Sequence, residues 1–230
     1  MLKRFANYFS KGELILWGAS VVLISVSFFG FDRSNSLAFI ASLIGATSLI
    51  FNAKGNPFGQ FLMIIFGLIY GYISYSFTYY SEMITYVGMT APMALLALIS
   101  WLRHPYKNNR SEVAVNRIGK KDVIIMLALS IAVTLIFYYV LAYFNTANLI
   151  PSTLSVTTSF VAVYLTFRRS PYFALAYAAN DIVLIALWIM ATAKDISYLS
   201  VLICFVVFLA NDLYGFFSWL KMEKRQLENE

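Results

Sequence analysis

Residues 172–193 read YFALAYAANDIVLIALWIMATA, an apolar run in which Asp181 is the only charged residue. The run is long enough to cross the hydrocarbon core of a bilayer as a helix, which takes about 20 residues. A charged side chain inside such a helix costs at least about 2.5–3.5 kcal/mol on insertion scales, so a functional role is the first hypothesis. The stretch therefore predicts both a membrane fold and a polar site within it.

A second apolar run has the same arrangement. Residues 197–220, SYLSVLICFVVFLANDLYGFFSWL, contain Asp212 as their only charge. In both runs an asparagine, Asn180 or Asn211, directly precedes the aspartate, and every other charged residue lies in a loop, in a tail or at the end of an apolar segment. Two such pairs indicate a polar site. The alternative is that the aspartates are neutral and only hydrogen-bond to neighbouring helices.

The composition is typical of an integral membrane protein. Of 230 residues, 60% are hydrophobic and only 12% are charged, whereas soluble domains carry about 25% charged residues. We predict an all-α, polytopic fold with eight transmembrane helices, at residues 13–31, 36–52, 57–79, 82–101, 122–145, 151–167, 172–193 and 197–220. The N-terminus lacks a small-residue cleavage site, so we expect its helix to be retained and not removed as a signal peptide.

The basic residues predict the orientation. With the N-terminus in the cytoplasm, all of the 17 Lys and Arg residues except Arg33 and Lys194 fall on the cytoplasmic side. The positive-inside rule therefore places both termini and the long basic loop 103–121 in the cytoplasm. Because these residues flank the spans and form no single patch, the net charge of +6 does not indicate a nucleic-acid partner.

The two halves of the chain resemble each other weakly. SWLR at residues 100–103 ends the fourth span and SWLK at 218–221 ends the eighth, while Pro57 opens the third and Pro171 the seventh. Spans two to four then match spans six to eight in parallel, with the fifth as a connector. We predict an N-terminal helix (1–35), a first three-helix repeat (36–102), a basic loop with a connector helix (103–150), a second repeat (151–221) and a cytoplasmic tail (222–230).

Asp181 and Asp212 lie at the same predicted depth. At a rise of 1.5 Å per residue they are about 15 Å and about 13–14 Å from the cytoplasmic face, near the midplane of the bilayer, where carriers form their sites. Residues near this layer are Asn180 and Trp188 on the seventh span, Asn211 and Tyr214 on the eighth, and Gln60 on the third. Amide side chains also join helices without binding a ligand, so a role in helix packing is the alternative for Asn180, Asn211 and Gln60.

The residue types favour binding and passage over catalysis. The chain has one histidine, His104, and no GxxxxGK[ST] phosphate loop, which argues against a histidine-rich metal site and against ATP binding. No nucleophile and base stand together near the midplane, so we expect neither an enzyme nor a cofactor. Carboxylates, aromatic rings and amides together suit a flat, cationic or hydroxylated solute.

Several short motifs occur in a fixed order: GNP at residues 55–57 with Gln60, YSEM at 80–83, PM at 92–93, WLRHP at 101–105 and NDLYG at 211–215. Taken together, they resemble the PnuC-type nicotinamide riboside transporters of bacteria. The resemblance covers spans two to eight. It departs from the family in the fourth span, where residues 84–91 lack an asparagine that many relatives carry.

The resemblance implies a three-plus-one-plus-three helical fold related to SWEET carriers, in the bacterial inner membrane. It implies uptake of nicotinamide riboside by facilitated diffusion, with phosphorylation inside the cell preventing return, by a homo-oligomer such as a trimer. Another flat cationic vitamin such as thiamine is the alternative substrate, and a receptor that transports nothing is the alternative class. The substrate-binding residues that we predict are Gln60, Asn180, Asp181, Trp188, Asn211, Asp212 and Tyr214.

Overall fold

The computed structural model describes residues 8–76 and 78–229. Within them, eight helices are long and apolar enough to cross a membrane: α1 (Lys11–Phe31), α2 (Ser36–Ala53), α3 (Pro57–Ser76), α4 (Tyr80–Arg103), α5 (Lys120–Tyr143), α6 (Leu149–Phe167), α7 (Phe173–Thr192) and α8 (Ile196–Leu227). The predicted all-α membrane fold with eight spans is confirmed. Lys3 and Arg4, which entered the prediction of orientation, lie outside the described residues.

Local sequence sets where the first helices begin. The Ser10 hydroxyl accepts the amide of Glu13 at 3.2 Å, and the Ser10 amide donates to the Glu13 carboxylate at 2.6 Å. This capping box provides partners for two N–H groups at the start of α1. At the start of α2, Asn35 accepts the amide of Ala38 at 3.1 Å.

Two helices depart from a uniform α-helix. In α4, residues Tyr86–Thr90 form a π-helical turn, a widened turn that is frequent at functional sites. α8 begins with the 3-10 turn Ile196–Tyr198 and runs past its predicted end at residue 220 to Leu227. The extension is polar, KMEKRQL, so hydropathy alone did not include it in the span.

The basic loop contains a small hairpin that the sequence did not predict. Strands β1 (Pro105–Tyr106) and β2 (Asn109–Val113) pair antiparallel. Gln226, in the extension of α8, donates to the Val113 carbonyl at 3.0 Å and accepts the Val115 amide at 2.8 Å. The hairpin is thus held by tertiary contacts, which periodicity cannot reveal.

The helices form two groups of three. α3 packs between α2 and α4, and α7 packs between α6 and α8, while the groups meet where α8 contacts α2 and α4 contacts α6. α1 packs on α8 and α2, and α5 packs mainly on α6. Tyr8 donates to the Ser111 carbonyl and Lys107 to the Asn229 carbonyl. Both ends of the described chain therefore lie beside the hairpin, on what we call the terminal side.

Matching contacts join the two groups at the terminal side. Trp101 Nε1 on α4 donates to the Thr166 carbonyl of α6 at 2.9 Å, and Trp219 Nε1 on α8 donates to the Asn52 carbonyl of α2 at 2.7 Å. The serine before each tryptophan donates to the carbonyl one residue further along the helix that the tryptophan contacts. These distances are 2.9 Å and 2.7 Å. The last turn of a helix leaves such carbonyls without intrahelical partners. Each group therefore caps the first helix of the other.

The capped ends of α2 and α6 also share a backbone conformation. Gly55 and Arg169 both have positive φ, +65° and +58°, two residues before a proline. Their amides donate to the carbonyls of Asn52 and Thr166 at 2.9 Å and 3.0 Å. These matched helix ends support the predicted repeat. The repeat and its domain limits stay a prediction.

We expect Trp219→Ala to destabilise the protein strongly, because it removes a fully buried ring and its hydrogen bond to the Asn52 carbonyl. Truncating a buried tryptophan costs about 3–5 kcal/mol, so the thermal unfolding midpoint of the detergent-purified protein should fall clearly. Phe217→Ala is the control, since that side chain on the same helix is 59% exposed. Equal shifts for both variants would mean that the tryptophan contact does not hold the helix groups together.

Candidate functional site

A cavity of about 320 Å³ lies between the two groups of helices. Helices α2 to α8 all contribute to its wall, and among the described residues α1 contributes none. Most of the wall is apolar and aromatic, with a few carboxyl, amide and hydroxyl groups facing inward. That composition is typical of a site for a small organic molecule.

The two ends of the cavity differ. Near the terminal side it ends at Phe173, whose ring packs on those of Trp219 and Trp101 at centroid distances of 4.8 Å and 6.2 Å. At the other end its wall includes Glu82, which is half-buried, and Ala147, which is exposed. The cavity is therefore closed toward the terminal side and extends toward the opposite side.

Asp181 on α7 and Asp212 on α8 lie together in the wall. Both residues line the same cavity, and they are only 4% and 5% exposed. The two apolar runs thus bring their single charges to one place, as their depth predicted. No N–H or hydroxyl group of the described residues donates to Asp181 Oδ2.

The described part of the chain places no basic side chain in the wall around this carboxyl pair. Among the described residues, no Lys, Arg or His lines the cavity. Lys54, near the end of α2, instead forms an ion pair of 3.2 Å with Glu13, whose helix is not part of the wall. A wall whose described residues include carboxyl groups and no cationic side chain is suited to a solute that brings a positive charge.

Trp188 lies in the same wall, two turns along α7 from Asp181. It is half-buried, and its ring is nearly parallel to that of Phe205, with an interplanar angle of 14° and a centroid distance of 6.4 Å. The ring of Tyr198 also contacts it, at 5.6 Å. The indole is therefore supported by neighbouring rings in a position where a flat solute can stack on it.

The amide side chains divide into lining and supporting residues. Asn180 lines the cavity and accepts a hydrogen bond of 2.8 Å from the Thr158 hydroxyl. Gln60 does not line it, but donates at 2.9 Å to Oδ1 of Asn52, which does. Gly59 leaves room for this contact, because a Cβ there would lie 2.2 Å from Asn52 Oδ1. Gln60 thus fixes the orientation of the Asn52 amide.

Asn211 and Tyr214 face away from the cavity. Asn211 donates to the Ser20 hydroxyl at 2.9 Å, and Tyr214 donates to the Glu13 carboxylate at 3.1 Å, both partners being on α1. Their spacing along α8 places them on one face of the helix, but that face packs on α1. A substrate contact by either residue stays a prediction that this geometry does not favour.

Four of the seven predicted site residues therefore line the cavity, namely Asn180, Asp181, Trp188 and Asp212, and three do not, namely Gln60, Asn211 and Tyr214.

Sequence reasoning missed other polar residues of the wall. Tyr177 lies four residues before Asp181, a spacing that places both on one helix face and could have revealed it. Asn52 was assigned to the last position of a predicted span, where polar residues are common. Tyr86 belongs to the π-helical turn, which residue spacing cannot predict, and its ring stacks on Tyr70 at 5.2 Å.

Comparisons with known proteins agree with this architecture. The family described as "Nicotinamide mononucleotide transporter" matches residues 35–221. The nicotinamide riboside transporter PnuC of Neisseria mucosa is 26% identical over 215 residues, covering 91% of this chain and 81% of that protein. The PnuC protein of Haemophilus influenzae is 21% identical, over 92% of this chain and 91% of its own.

A solved structure has the same fold. The crystal structure of the vitamin B3 transporter PnuC superimposes with a TM-score of 0.79 at 23% identity, covering 95% of this chain and 94% of that one. The family match spans most of the chain and all helices that line the cavity. The chain therefore belongs to the nicotinamide mononucleotide transporter family, whose members are membrane transporters and not enzymes.

Proposed function

We propose that this protein carries nicotinamide riboside across the bacterial inner membrane by facilitated diffusion. The main support is the carboxyl pair Asp181–Asp212, which lines a cavity without any cationic side chain among the described residues. The relatives named as nicotinamide riboside transporters make this substrate the first candidate. The sequence has no GxxxxGK[ST] phosphate loop, which favours a carrier that uses no ATP.

The chemistry of the cavity matches that of the substrate. Nicotinamide riboside carries a pyridinium cation, which carboxyl groups in a low dielectric attract strongly. Trp188 can add a cation–π contact of about 0.5–2 kcal/mol on one face of the ring. Asn52 and Asn180 supply hydrogen-bonding groups for the ribose hydroxyls and the carboxamide. A volume of about 320 Å³ is within the range of ligand sites, about 300–1,000 Å³.

The length of the site also fits this solute. Trp188 is seven residues beyond Asp181, which is about 10 Å along the axis of α7. We place the substrate between them, near the membrane midplane and between the two predicted repeats. Release on the terminal side requires the rings of Phe173, Trp101 and Trp219 to separate, since they close that end of the cavity.

The orientation and the domain limits that we propose are those that the sequence predicts, and the assembly is the one that the family resemblance implies. Because basic residues flank the spans on the terminal side, we assign that side to the cytoplasm, and the cavity then extends toward the periplasm. The domain limits stay those predicted above. A homo-oligomer such as a trimer is the proposed assembly, and α5, which buries only Ser130 and Leu141 in the monomer, has the most surface available for it.

Transport is tested by uptake of labelled nicotinamide riboside into liposomes that contain the purified protein. We expect saturable uptake without ATP and without an ion gradient. Strict dependence on a proton or sodium gradient would contradict facilitated diffusion. Binding without flux would favour a receptor, and stronger inhibition by thiamine than by unlabelled nicotinamide riboside would favour a carrier of that vitamin.

We expect Trp188→Ala to weaken nicotinamide riboside binding by about 3- to 30-fold, because the substitution removes the cation–π contact. Calorimetry on the detergent-purified protein measures this change. Ile189→Ala is the matched control, since Ile189 directly follows Trp188, is 54% exposed and does not line the cavity. Unchanged affinity in Trp188→Ala would show that the indole only packs on Phe205 and Tyr198.

We expect Tyr214→Phe to lower stability by about 1 kcal/mol through loss of the hydrogen bond to Glu13, and to leave the affinity within about twofold. Thermal unfolding and calorimetry on the same preparation separate the two effects. A loss of affinity of about tenfold would instead place Tyr214 at the substrate, as the sequence predicted.

A further inference from the structure

A second cavity lies on the terminal side of the protein. Its volume is about 380 Å³, and four parts of the chain form its described wall: Tyr8 ahead of α1, the end of α2, strand β2 and the last turns of α8. None of its described lining residues also lines the cavity that contains Asp181 and Asp212. It is therefore a separate space from the one proposed for the substrate.

The wall of this second cavity has an excess of positive charge. Lys54, Lys221 and Arg225 line it together with one described carboxylate, that of Glu112. Arg225 pairs with Glu112, and Lys54 pairs at 3.2 Å with Glu13, which is not a described lining residue. Lys221 is exposed and forms no ion pair with a described residue. Three cations therefore face two carboxylates, which leaves one positive charge without a partner.

Two of the cations also repel each other along α8. Lys221 and Arg225 are four residues apart, so their side chains lie on one face of the helix, and both line the cavity. Like charges at this spacing destabilise a helix. An anion that binds between them removes this repulsion, so the arrangement favours a negatively charged ligand.

Uncharged donors next to these cations suit a phosphate group. Strand β2 contributes Asn109 and Ser111 to the wall, and the Asn109 side-chain oxygen already accepts the Ser111 amide at 3.1 Å. The Asn109 amide N–H groups and the Ser111 hydroxyl are the donors that this contact leaves. Phosphate oxygens accept short, strong hydrogen bonds from such groups and from Lys and Arg. The volume is within the range of small-molecule sites, so the phosphate can belong to a larger molecule.

The second cavity adjoins the closed end of the substrate cavity. Ala53 and Ser218 line it, and the Ser218 hydroxyl donates to the Ala53 carbonyl at 2.7 Å. Their chain neighbours Asn52 and Trp219 form the other hydrogen bond of 2.7 Å between α2 and α8. A phosphate that contacts the lysine at the end of α2 and the cations of α8 therefore holds these two helix ends together.

We propose that this second cavity binds a phosphate group, carried by a soluble anion such as a nucleotide or by a lipid headgroup, and that its binding slows transport. Release of substrate on the terminal side requires Trp219 to leave the rings of Phe173 and Trp101. Because the phosphate contacts both helices only while their ends are together, it stabilises the closed arrangement. The effect on transport rests on the proposed function, whereas the binding site does not.

Binding is tested by calorimetry with adenosine monophosphate on the detergent-purified protein, with adenosine as the ligand that lacks the phosphate. We expect adenosine monophosphate to bind more tightly than adenosine, and its affinity to fall as sodium chloride is added, because salt screens exposed charges. Equal affinities for the two ligands would overturn a nucleotide as the source of the phosphate.

The lipid source is tested in nanodiscs of phosphatidylcholine with and without phosphatidylglycerol. A higher thermal unfolding midpoint with phosphatidylglycerol, lost in Lys221→Gln, would identify the headgroup as the source. If the midpoint does not change and adenosine monophosphate does not bind, the site is overturned.

A matched pair of variants separates the cavity from the general charge of the terminal side. Lys221→Gln should weaken binding of adenosine monophosphate by about 3- to 10-fold, because it removes one charged donor. Lys224→Gln removes the same charge from the same helix, and its side chain is 78% exposed and does not line the cavity, so its affinity should stay that of the wild type. Equal losses in both variants would overturn the site.

The effect on transport is measured as initial uptake of nicotinamide riboside into phosphatidylcholine liposomes, with adenosine monophosphate on both sides of the membrane. We expect slower uptake in the wild type and in Lys224→Gln, and a smaller effect in Lys221→Gln. An unchanged rate at a concentration that saturates binding would overturn the effect on transport. If adenosine monophosphate binds but nicotinamide riboside is not transported, the proposed function fails and the phosphate site stands.

Discussion

The cost of placing polar groups in hydrocarbon determines the arrangement of this protein. Two apolar helices each carry a carboxyl group within a predicted span, and neither helix is stable in a membrane unless that group is shielded from lipid. Asp181 and Asp212 are shielded from lipid in the wall of the cavity, where a polar solute can reach them. The same requirement explains the buried amides, since Asn211 donates to Ser20, Asn180 accepts from Thr158, and Gln60 donates to Asn52.

The cavity depends on the helix ends as much as on its own wall. Two tryptophans bridge the groups of helices at the terminal side. Phe173, at the closed end of the cavity, packs on both of them. Asn52 joins these two regions, because its carbonyl accepts from Trp219 while its side chain lines the cavity. Asn52 therefore connects the closed end of the cavity to its wall.

Much of the fold could be predicted from hydropathy, because each span is a long apolar run with charges at its ends. The position of Asp181 and Asp212 in one wall also agrees with counting residues along straight helices. The direction in which Asn211 and Tyr214 point could not be predicted, because periodicity shows which residues share a helix face but not which neighbouring helix that face contacts. α1 was predicted to lie outside the repeats, so its contacts with that face of α8 were not foreseen. The π-helical turn and the hairpin depend on tertiary contacts, which a single sequence does not contain.

The central claim is that the carboxyl pair and Trp188 hold one cationic ring between the two groups of helices. An experimental structure of the protein with nicotinamide riboside bound tests it most directly. We expect the pyridinium ring beside the carboxyl pair with one face toward Trp188, and Asn211 and Tyr214 still bonded to α1. A substrate that lies outside this cavity, or that contacts Tyr214 in place of Asp181 and Asp212, would contradict the account.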